Sequence, residues 1–314
     1  MSPSSALRTS VAGLEFQNPI VLAAGTAGYG RELAGVVDLD AIGGIVTKAV
    51  SLAPRAGAPA PRVAEFEGGM INAVGLANPG VDEVCRSHLP WLADSLPRTR
   101  KFVNVVGFVV DEFADVVQRI EASPRSEAAV DGYELNVSCP NTRAGGMEFG
   151  ADDTALAAVV GRARAATRRP LFAKLSPTLP DIARTAAVAV DAGADGITVV
   201  NTIPGLVVEV EHRRPALGFG TGGVSGQALL PVGVLATWRV SRAVTVPVIG
   251  LGGVRSALDA LQYIVAGAWL VGIGTAALRD PRQPERVVRD LRRWCARHDV
   301  TDLTSLRGTL EWPK

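Results

Sequence analysis

The feature that most constrains the fold is a regular alternation of short apolar segments with amphipathic helical segments. Strands that are apolar throughout and are separated by helices are typical of a parallel sheet covered on both faces. Eight such units predict an α/β protein with a closed (β/α)₈ barrel. The predicted strands are Ile20–Ala24, Gly44–Lys48, Phe102–Val106, Gly132–Val137, Leu171–Leu175, Gly196–Asn201, Val246–Gly250 and Leu270–Ile273. The clearest helical segments are Val81–Ser95, Glu112–Glu121, Thr154–Thr167, Asp181–Ala192, Leu229–Arg242 and Ser256–Ala266.

An open, doubly wound sheet is the alternative arrangement of the same elements. No predicted strand leads into a Gly-x-Gly-x-x-Gly turn with a suitably placed acidic residue, so a Rossmann fold is not favoured. The 314 residues are 47% hydrophobic, which suffices for one large domain with a substantial core. We therefore predict a single domain over residues 1–314.

Three insertions interrupt the alternation. Residues 11–18 are expected to form a short N-terminal β-hairpin that plugs the bottom of the barrel. Residues 54–79 and 206–226 follow the second and sixth strands and are expected to form loops or hairpins on the C-terminal face. Barrel enzymes build their sites on that face, so these two insertions are predicted to border the site.

Composition excludes several function classes. The formal net charge of +1 provides no overall field that would recruit nucleic acid or an anionic membrane. No apolar run reaches about 18 residues, and the N-terminus lacks the layout of a signal peptide. The cysteines Cys85, Cys139 and Cys295 are widely spaced and form no Cys-x-x-Cys pair. We predict a cytoplasmic protein without a metal site, which binds neither nucleic acid nor membrane.

Lysine is rare in this chain, since only four of the 32 basic residues are lysine. Lys101 precedes a predicted strand and Lys314 is the last residue, so both are expected to be solvated. Lys48 and Lys174 lie at or near the ends of apolar strands, where a charge is costly without a partner. A compact ammonium group can sit beside an anion or a reduced cofactor, which favours a functional role over snorkelling to solvent.

The fourth predicted strand ends in a rigid polar turn, within Glu134-Leu135-Asn136-Val137-Ser138-Cys139-Pro140-Asn141. Pro140 cannot continue a strand, so the turn is expected to hold Asn136, Cys139 and Asn141 toward one point. Carboxamides suit a planar, amide-like ligand, and a thiol can accept a proton. An ordinary turn with a buried structural cysteine is the alternative.

Similar chemistry at the other strand ends favours the functional interpretation. Two glycine turns precede helices, the position where barrels bind phosphate through backbone N–H groups. The three histidines are scattered, so a Ser/His/Asp triad is not expected. A phosphate cradle, two cations, several amides and one thiol indicate a redox site that uses FMN, with proton abstraction by Cys139. The strand-end residues are Ala24, Gly25, Lys48, Asn104, Asn136, Cys139, Lys174, Asn201, Thr202, Gly252, Gly253, Gly274 and Thr275, and Asn72-Ala73-Val74-Gly75-Leu76 lies in the first large insertion.

Taken together, the motifs are specific enough to indicate a family. They are Asn18-Pro19-Ile20, Val46-Thr47-Lys48, the run from Gly69 to Leu76 followed by Asn78-Pro79-Gly80, the run from Glu134 to Asn141, Ala173-Lys174-Leu175-Ser176-Pro177, Val200-Asn201-Thr202, Gly222 to Gly226, Ile249 to Gly253, and Val271 to Thr275. From about Leu14 to Leu278, the chain resembles the class 1 dihydroorotate dehydrogenases. The resemblance implies an FMN-containing barrel that oxidises (S)-dihydroorotate to orotate in pyrimidine biosynthesis.

The resemblance also implies roles for individual residues. Hydride passes from C6 of dihydroorotate to flavin N5, and Cys139 accepts the C5 proton. Lys48 contacts both the orotate carboxylate and the flavin edge, and Lys174 lies beside the flavin pyrimidine ring. The implied substrate-binding residues are Lys48, Asn72, Val74, Gly75, Leu76, Asn136, Asn141, Asn201 and Thr202. The implied FMN-binding residues are Ala24, Gly25, Lys48, Asn104, Asn136, Lys174, Val200, Gly226, Gly252, Gly253, Gly274 and Thr275.

The subclass decides the electron acceptor. The segment Ala58–Arg62, the run Gly145–Gly150 and Asn201-Thr202 resemble class 1B. That class implies a homodimer of this chain within a heterotetramer, whose electron-transfer subunit carries FAD and a 2Fe–2S cluster and uses NAD. The alternative is a fumarate-reducing homodimer of class 1A. Ala77 and Phe66-Glu67 depart from the usual class 1B pattern, which affects the partner interface more than the chemistry.

Three rival functions remain at the level of sequence. An FMN-dependent dihydropyrimidine or dihydrouridine oxidoreductase would share the barrel, but a tRNA substrate calls for a basic face that the net charge does not supply. A Schiff-base aldolase could use Lys48 or Lys174 as its nucleophile. A non-catalytic flavin-binding protein would bind FMN without reacting with any dihydropyrimidine.

Overall fold

The computed structural model describes residues 6–138 and 148–313. The strands within these residues are β1 (Thr9–Val11), β2 (Leu14–Phe16), β3 (Ile20–Leu22), β4 (Gly44–Val46), β5 (Val63–Phe66), β6 (Gly69–Asn72), β7 (Arg100–Val105), β8 (Gly132–Asn136), β9 (Leu171–Leu175), β10 (Gly196–Val199), β11 (Ile203–Gly205), β12 (Val208–Glu209), β13 (Arg214–Pro215), β14 (Gly222–Ser225), β15 (Val248–Leu251) and β16 (Leu270–Ile273). Eight of them are parallel and form a closed barrel in the order β3-β4-β7-β8-β9-β10-β15-β16, which confirms the predicted (β/α)₈ architecture.

The helices surround the barrel and cover its outer face. They are α1 (Val81–Glu83), α2 (Leu89–Ser95), α3 (Val110–Glu121), α4 (Ser126–Ala129), α5 (Asp153–Ala166), α6 (Ile182–Asp191), α7 (Leu230–Ala243), α8 (Ala257–Val265), α9 (Thr275–Arg279) and α10 (Gln283–Arg297). Short 3₁₀ turns span Arg31–Leu33, Leu39–Ala41, Phe149–Ala151, Gln227–Leu229 and Leu303–Leu306. Fully buried side chains of the helices pack against those of the strands in one large apolar core.

The single helix predicted over residues 81–95 is interrupted in the structure. A π-helical segment, Val84–His88, separates α1 from α2. Pro90, near the start of α2, has no amide hydrogen, and its ring would clash with the carbonyl of Arg86 in a regular α-helix. The wider turn ahead of Pro90 removes that conflict.

The N-terminal hairpin closes the bottom of the barrel, as expected. Strands β1 and β2 pair antiparallel, and Phe16 on β2 is buried against the barrel interior. Its ring centroid lies 6.3 Å from that of Phe102 on β7, which in turn lies 5.5 Å from that of Phe172 on β9. These rings fill the bottom of the barrel, so a ligand has room only near the opposite end.

Two residues beyond the phenylalanine rings along the strands, the interior of the barrel changes from apolar to polar. Alternate residues of a strand face the same side, so Asn104 lies on the same face of β7 as Phe102, and Lys174 on the same face of β9 as Phe172. Glu134 lies opposite Asn104 in the pairing of β7 with β8. Because residues two positions apart face the same side of a strand, Asn104 and Lys174 form a polar layer directly above the aromatic layer of Phe102 and Phe172.

The two large insertions meet over the C-terminal face. Strands β11, β14, β6 and β5 form a four-stranded antiparallel sheet, and β12 and β13 form a separate short ladder. Asn72 at the end of β6 pairs with both Val63 and Gly223. The prediction that the insertions form hairpins on this face is therefore confirmed. The sequence did not predict that the two insertions pair with each other in one sheet.

The expectation for Lys101 was wrong. It lies within β7 and is only 5% exposed. Its Nζ donates to the carbonyl of Leu96 at 2.9 Å and lies 3.6 Å from a carboxylate oxygen of Asp131. Partners that precede β7 and β8 thus compensate the cost of burying this charge.

Candidate active site

A cavity of about 710 Å³ opens at the C-terminal ends of the barrel strands. This volume lies in the range of small-molecule and cofactor sites, which span about 300–1,000 Å³. Cys139 and Asn141, the predicted base and one predicted amide, lie outside the described residues. The other predicted site residues all line the cavity: Ala24, Gly25, Lys48, Asn72, Val74, Gly75, Leu76, Asn104, Asn136, Lys174, Val200, Asn201, Thr202, Gly226, Gly252, Gly253, Gly274 and Thr275.

The polar layer at the base of the cavity is held together by Glu134. Its Oε1 accepts a hydrogen bond from Asn104 Nδ2 at 2.8 Å and lies 3.8 Å from Lys174 Nζ. Asn104, Glu134 and Lys174 are all buried, with exposed fractions of 1%, 2% and 6%. Asn104 and Lys174 line the cavity, whereas Glu134 lies behind them. The sequence interpretation missed Glu134 as a site residue, although an acidic residue in an apolar strand signals a required partner.

Two amide oxygens in this region have no partner among the described residues. They are Oδ1 of Asn104 and Oδ1 of Asn136, and both are buried. A buried acceptor without a partner is costly, and in native proteins such groups are usually satisfied. Both residues line the cavity, which makes their amides candidates for contact with a bound molecule.

The backbone on either side of Lys48 is fixed by the loop after β3. The Lys48 N–H donates to the carbonyl of Gly28 at 2.7 Å, and the carbonyl of Ala49 accepts from the Tyr29 hydroxyl at 3.0 Å. Burial, with a smaller contribution from the charge of Glu32, raises the pKa of Tyr29, so its hydroxyl remains a donor. The Tyr29 ring also stacks on His88, with centroids 4.2 Å apart. His88 is thus half-buried.

Asn72 and Asn201 use their amide groups within the protein. Asn72 Nδ2 donates to the carbonyl of Gly223 at 3.2 Å. Asn201 Nδ2 donates to both the carbonyl and the hydroxyl of Ser138, at 3.0 and 2.9 Å, while its Oδ1 accepts from the Thr202 N–H at 2.8 Å. Asn201 therefore fixes the residue that immediately precedes Cys139, which the sequence did not reveal.

The glycine turns after β15 and β16 also line the cavity. The helix after the first turn, α8, has a side-chain cap, whereas the helix after the second, α9, has none. Gly253 has a φ of +72°, and a Cβ there would lie 2.6 Å from the Leu230 backbone nitrogen, so no other residue fits without displacement. Helix α8 carries a capping box in which Asp259 accepts from the N–H of Ser256 and Ser256 accepts from that of Asp259. The N–H groups of Ser256 and Asp259 are therefore satisfied within the helix. Thr275 at the start of α9 hydrogen-bonds Ser225 through its hydroxyl at 2.8 Å.

The mouth of the cavity carries both charged and apolar groups. Arg279 Nε lies 3.0 Å from Glu65 Oε1, an ion pair that joins α9 to the inserted sheet. Arg255 and Asp280 also line the opening, and Leu278 is an exposed apolar residue at its edge. With Lys48 and Lys174 inside, the lining suits an anionic ligand.

Among the described helices, none combines the length and apolar character that a membrane span requires. Residues 6–138 and 148–313 contain no group of three or more His, Cys, Asp or Glu side chains placed to hold a metal ion.

Comparison with known proteins covers nearly the whole chain. The family model described as "Dihydroorotate dehydrogenase" matches residues 6–294. The chain is 43% identical over 306 residues to the dihydroorotate dehydrogenase B (NAD(+)) catalytic subunit of Trichlorobacter lovleyi, covering 98% of this chain and 99% of that protein. The corresponding subunits of Pelobacter propionicus and Geobacter sulfurreducens are 43% and 40% identical over 305 residues, each covering 97% of this chain and 98% of the relative.

A solved structure gives an independent comparison of the fold. The dihydroorotate dehydrogenase of Eimeria tenella, in complex with ferulenol, superposes with a TM-score of 0.81. The match covers 97% of this chain and 88% of the other at 24% sequence identity, which supports the fold alone. With the family model and the full-length relatives, the resemblance found in the motifs is confirmed: the chain belongs to the dihydroorotate dehydrogenase family.

Proposed function

We propose that this protein is the catalytic subunit of an NAD-linked, B-type dihydroorotate dehydrogenase. It oxidises (S)-dihydroorotate to orotate in pyrimidine biosynthesis with bound FMN, and a separate subunit receives the electrons. The observation that carries the proposal is the cavity itself. It combines two lysines, two buried amide oxygens without a partner among the described residues, and two glycine turns at the carboxyl ends of the strands.

The residues present fit FMN. A flavin is planar, carries an N–H in its pyrimidine ring and ends in a phosphate. Ala24 and Gly25 are small enough to let a flat ring approach the backbone. The oxygens of Asn104 and Asn136 have no partner among the described residues and suit the N–H of the flavin and those of the pyrimidine substrate. Gly226, Gly252, Gly253, Gly274 and Thr275 would hold the phosphate end. When bound, FMN supplies the hydride acceptor for C6 of dihydroorotate.

The protein's own residues bind the substrate and move one proton. Lys48 would pair with the substrate carboxylate and contact the flavin edge, while Asn72, Asn136, Asn141, Asn201 and Thr202 border the pyrimidine. Lys174 supplies a positive charge where reduction of the flavin increases negative charge. Cys139 takes the proton from C5 of the substrate. The two hydrogen bonds of Asn201 to the carbonyl and hydroxyl of Ser138 fix the residue that precedes Cys139 in the chain.

The remaining features of the proposal concern assembly. The B-type relatives are named as NAD(+) enzymes and as catalytic subunits, which supports a separate electron-transfer partner. We propose that this partner carries FAD and a 2Fe–2S cluster and joins a homodimer of this chain in a cytoplasmic heterotetramer. A single FMN-binding domain over residues 1–314 is part of the same proposal.

The first test is an absorbance spectrum of the purified protein, followed by anaerobic addition of dihydroorotate. A flavin spectrum that bleaches on addition supports both cofactor and substrate. A bound flavin that stays oxidised contradicts the substrate, and failure to bind added FMN contradicts the whole proposal. Turnover with the partner subunit and NAD, compared with turnover on fumarate, then separates B-type from A-type chemistry.

A second test addresses the base. We expect Cys139→Ala to lower the rate of flavin bleaching about 10²–10⁴-fold, the range for loss of general base catalysis. An ordinary thiol has a pKa of about 8.5, so the wild-type rate should rise with pH unless the site lowers that value. Cys139→Ser should alter this pH profile.

The matched control for this test is Cys85→Ala. Cys85 is half-buried near the carbonyl of Arg119 and does not line the cavity. The control should bleach at the wild-type rate. Full activity of Cys139→Ala, or equal losses in both variants, would contradict the assignment of Cys139.

A further inference from the structure

Glu134 is the one acidic residue in the polar layer formed by Asn104, Glu134, Asn136 and Lys174. It is the third residue of β8, is 2% exposed and does not line the cavity. A carboxylate is costly to bury, and replacing a buried ion pair by apolar residues is often neutral or stabilising. Stability alone therefore gives little reason for a carboxylate at this position.

The first effect of Glu134 is on the orientation of Asn104. A carboxylate accepts hydrogen bonds and cannot donate them, so its partner must be the nitrogen of the Asn104 amide. The 2.8 Å bond from Nδ2 to Glu134 Oε1 therefore turns Oδ1 of Asn104 away from Glu134. That Oδ1 is buried and has no partner among the described residues, and Asn104 lines the cavity. Glu134 thus uses the nitrogen of the Asn104 amide and leaves its oxygen as the acceptor for other partners.

The second effect of Glu134 is on the charge beside the cavity. The same Oε1 lies 3.8 Å from Lys174 Nζ, and this ion pair is the one polar contact of Nζ among the described residues. Lys174 lines the cavity and has further donor capacity, whereas Glu134 offsets part of its charge from behind. Two opposite charges in a buried layer interact strongly with any charge that develops nearby.

We propose that Glu134 is a positioning residue that sets both the affinity for FMN and the reduction potential of the bound flavin. It does so by fixing the Asn104 amide and by offsetting the charge of Lys174. The inference rests on the proposed function, because it requires FMN to bind in the cavity. It goes beyond that function by assigning a role to a residue that touches neither cofactor nor substrate.

The main experiment compares the FMN-loaded wild-type chain with Glu134→Gln. Glutamine keeps the shape, removes the charge and can donate, so the Asn104 amide is no longer held in one orientation. We expect the dissociation constant for FMN, measured by flavin fluorescence, to rise about tenfold, in line with a lost charge-assisted hydrogen bond.

The same variant should also change the reduction potential. We expect it to favour the reduced flavin over the oxidised flavin about tenfold more than wild type does. That change corresponds to a potential higher by about 30 mV for a two-electron couple. The potential is read by equilibration with a redox dye, a measurement that does not depend on turnover.

Two variants separate positioning from general structural support. Glu134→Asp keeps the charge but shortens the side chain, so FMN should bind more weakly while the potential stays at the wild-type value. Asp131→Asn alters the other buried lysine pair, that of Lys101, which does not line the cavity. It should lower the unfolding temperature and change neither the FMN dissociation constant of the folded protein nor the potential.

The outcomes distinguish this inference from the proposed function. If wild type binds FMN and is bleached by dihydroorotate, but Glu134→Gln has the wild-type potential and affinity, the inference fails alone. A lower potential in Glu134→Gln also overturns it. If Glu134→Gln does not fold, Glu134→Asp decides, since unchanged FMN affinity would overturn the role in fixing Asn104. Failure of wild type to bind FMN overturns both.

Discussion

Two buried lysines, each beside a carboxylate, lie at opposite ends of the barrel strands. Near the start of β7, Lys101 Nζ donates to the carbonyl of Leu96, and its partner Asp131 also accepts from Arg100 Nη1 at 3.0 Å and from the Lys101 N–H at 2.8 Å. Near the end of β9, Lys174 Nζ has Glu134 at 3.8 Å and lines the cavity. Within the described residues, the first pair is fully hydrogen-bonded, whereas Lys174 Nζ has no polar contact other than Glu134.

The difference shows how similar residue pairs serve different purposes. A buried charge whose hydrogen bonds are all satisfied holds its segments together, and its loss leaves an uncompensated partner. A buried charge with unused donors costs stability and is retained where a ligand completes it. We therefore expect substitutions near the bottom of the barrel to act on stability and substitutions near the top to act on FMN and turnover.

The largest effect is expected for Lys101→Met. The substitution leaves Asp131 without its buried ammonium partner, which should lower the free energy of unfolding by about 3–5 kcal/mol. Chemical denaturation measures this change. The rise in melting temperature on adding FMN should equal that of wild type, because Lys101 does not line the cavity. Loss of the FMN-induced rise in melting temperature would contradict the conclusion that Lys101 acts on stability alone.

A somewhat smaller effect, and on a different quantity, is expected for Lys174→Met. Removing the charge that we propose to lie beside the flavin should lower kcat by about 10²–10³-fold, or about 2.7–4 kcal/mol, the range found for a lost electrostatic donor. The FMN-induced rise in melting temperature should also shrink, since it depends on affinity. If turnover and the FMN effect match those of Lys101→Met, the two ends of the barrel do not differ as proposed.

The smallest effect is expected for Asp40→Asn, in the loop network at the bottom. Burial would raise the pKa of Asp40, but hydrogen bonds from the Arg98 side chain and from the backbone of Arg98 and Thr99, with the charge of Arg98, hold it below the ordinary value of 3.8. The variant should lower the free energy of unfolding at pH 7 by about 1–2 kcal/mol.

The pH dependence of that difference sharpens the test. Because the folded-state pKa is lowered, the unfolded state binds more protons near this pKa, and wild-type stability rises with pH through that window. The stabilisation by Asp40 is fully present above the unfolded pKa and is lost as the pH falls through the folded value. Denaturation curves of the two proteins should therefore begin to converge near pH 4 and coincide only below the folded-state pKa of Asp40. A difference that persists there would show that the carboxylate charge is not responsible.

Much of the fold followed from local pattern. Apolar runs, intervening helices and glycine turns are properties of neighbouring residues, so the eight barrel strands were placed with errors of a few residues at their ends. The π-helical segment before Pro90 was missed because proline restricts the helix without specifying how the chain adjusts. The pairing of β6 with β14 was missed because it joins segments about 150 residues apart.

The site followed from topology in the same way. Parallel strands in a barrel bring their carboxyl ends to one face, so residues that end different strands had to converge. That rule placed Lys48, Asn104, Asn136 and Lys174 around one cavity before any distance was known. It does not say which atoms remain free for a ligand.

By itself, the sequence determined the barrel, the face that carries the site and the family, since each depends on the order and spacing of residue types. Tertiary structure alone decided how individual polar groups are used. Lys101 is buried because Leu96 and Asp131 reach it, Asn201 is bound to Ser138, and Glu134 stands behind Asn104 and Lys174. Hydrogen bonds and ion pairs depend on distances of a few ångströms between residues far apart in the chain, and only closure of the barrel sets those distances.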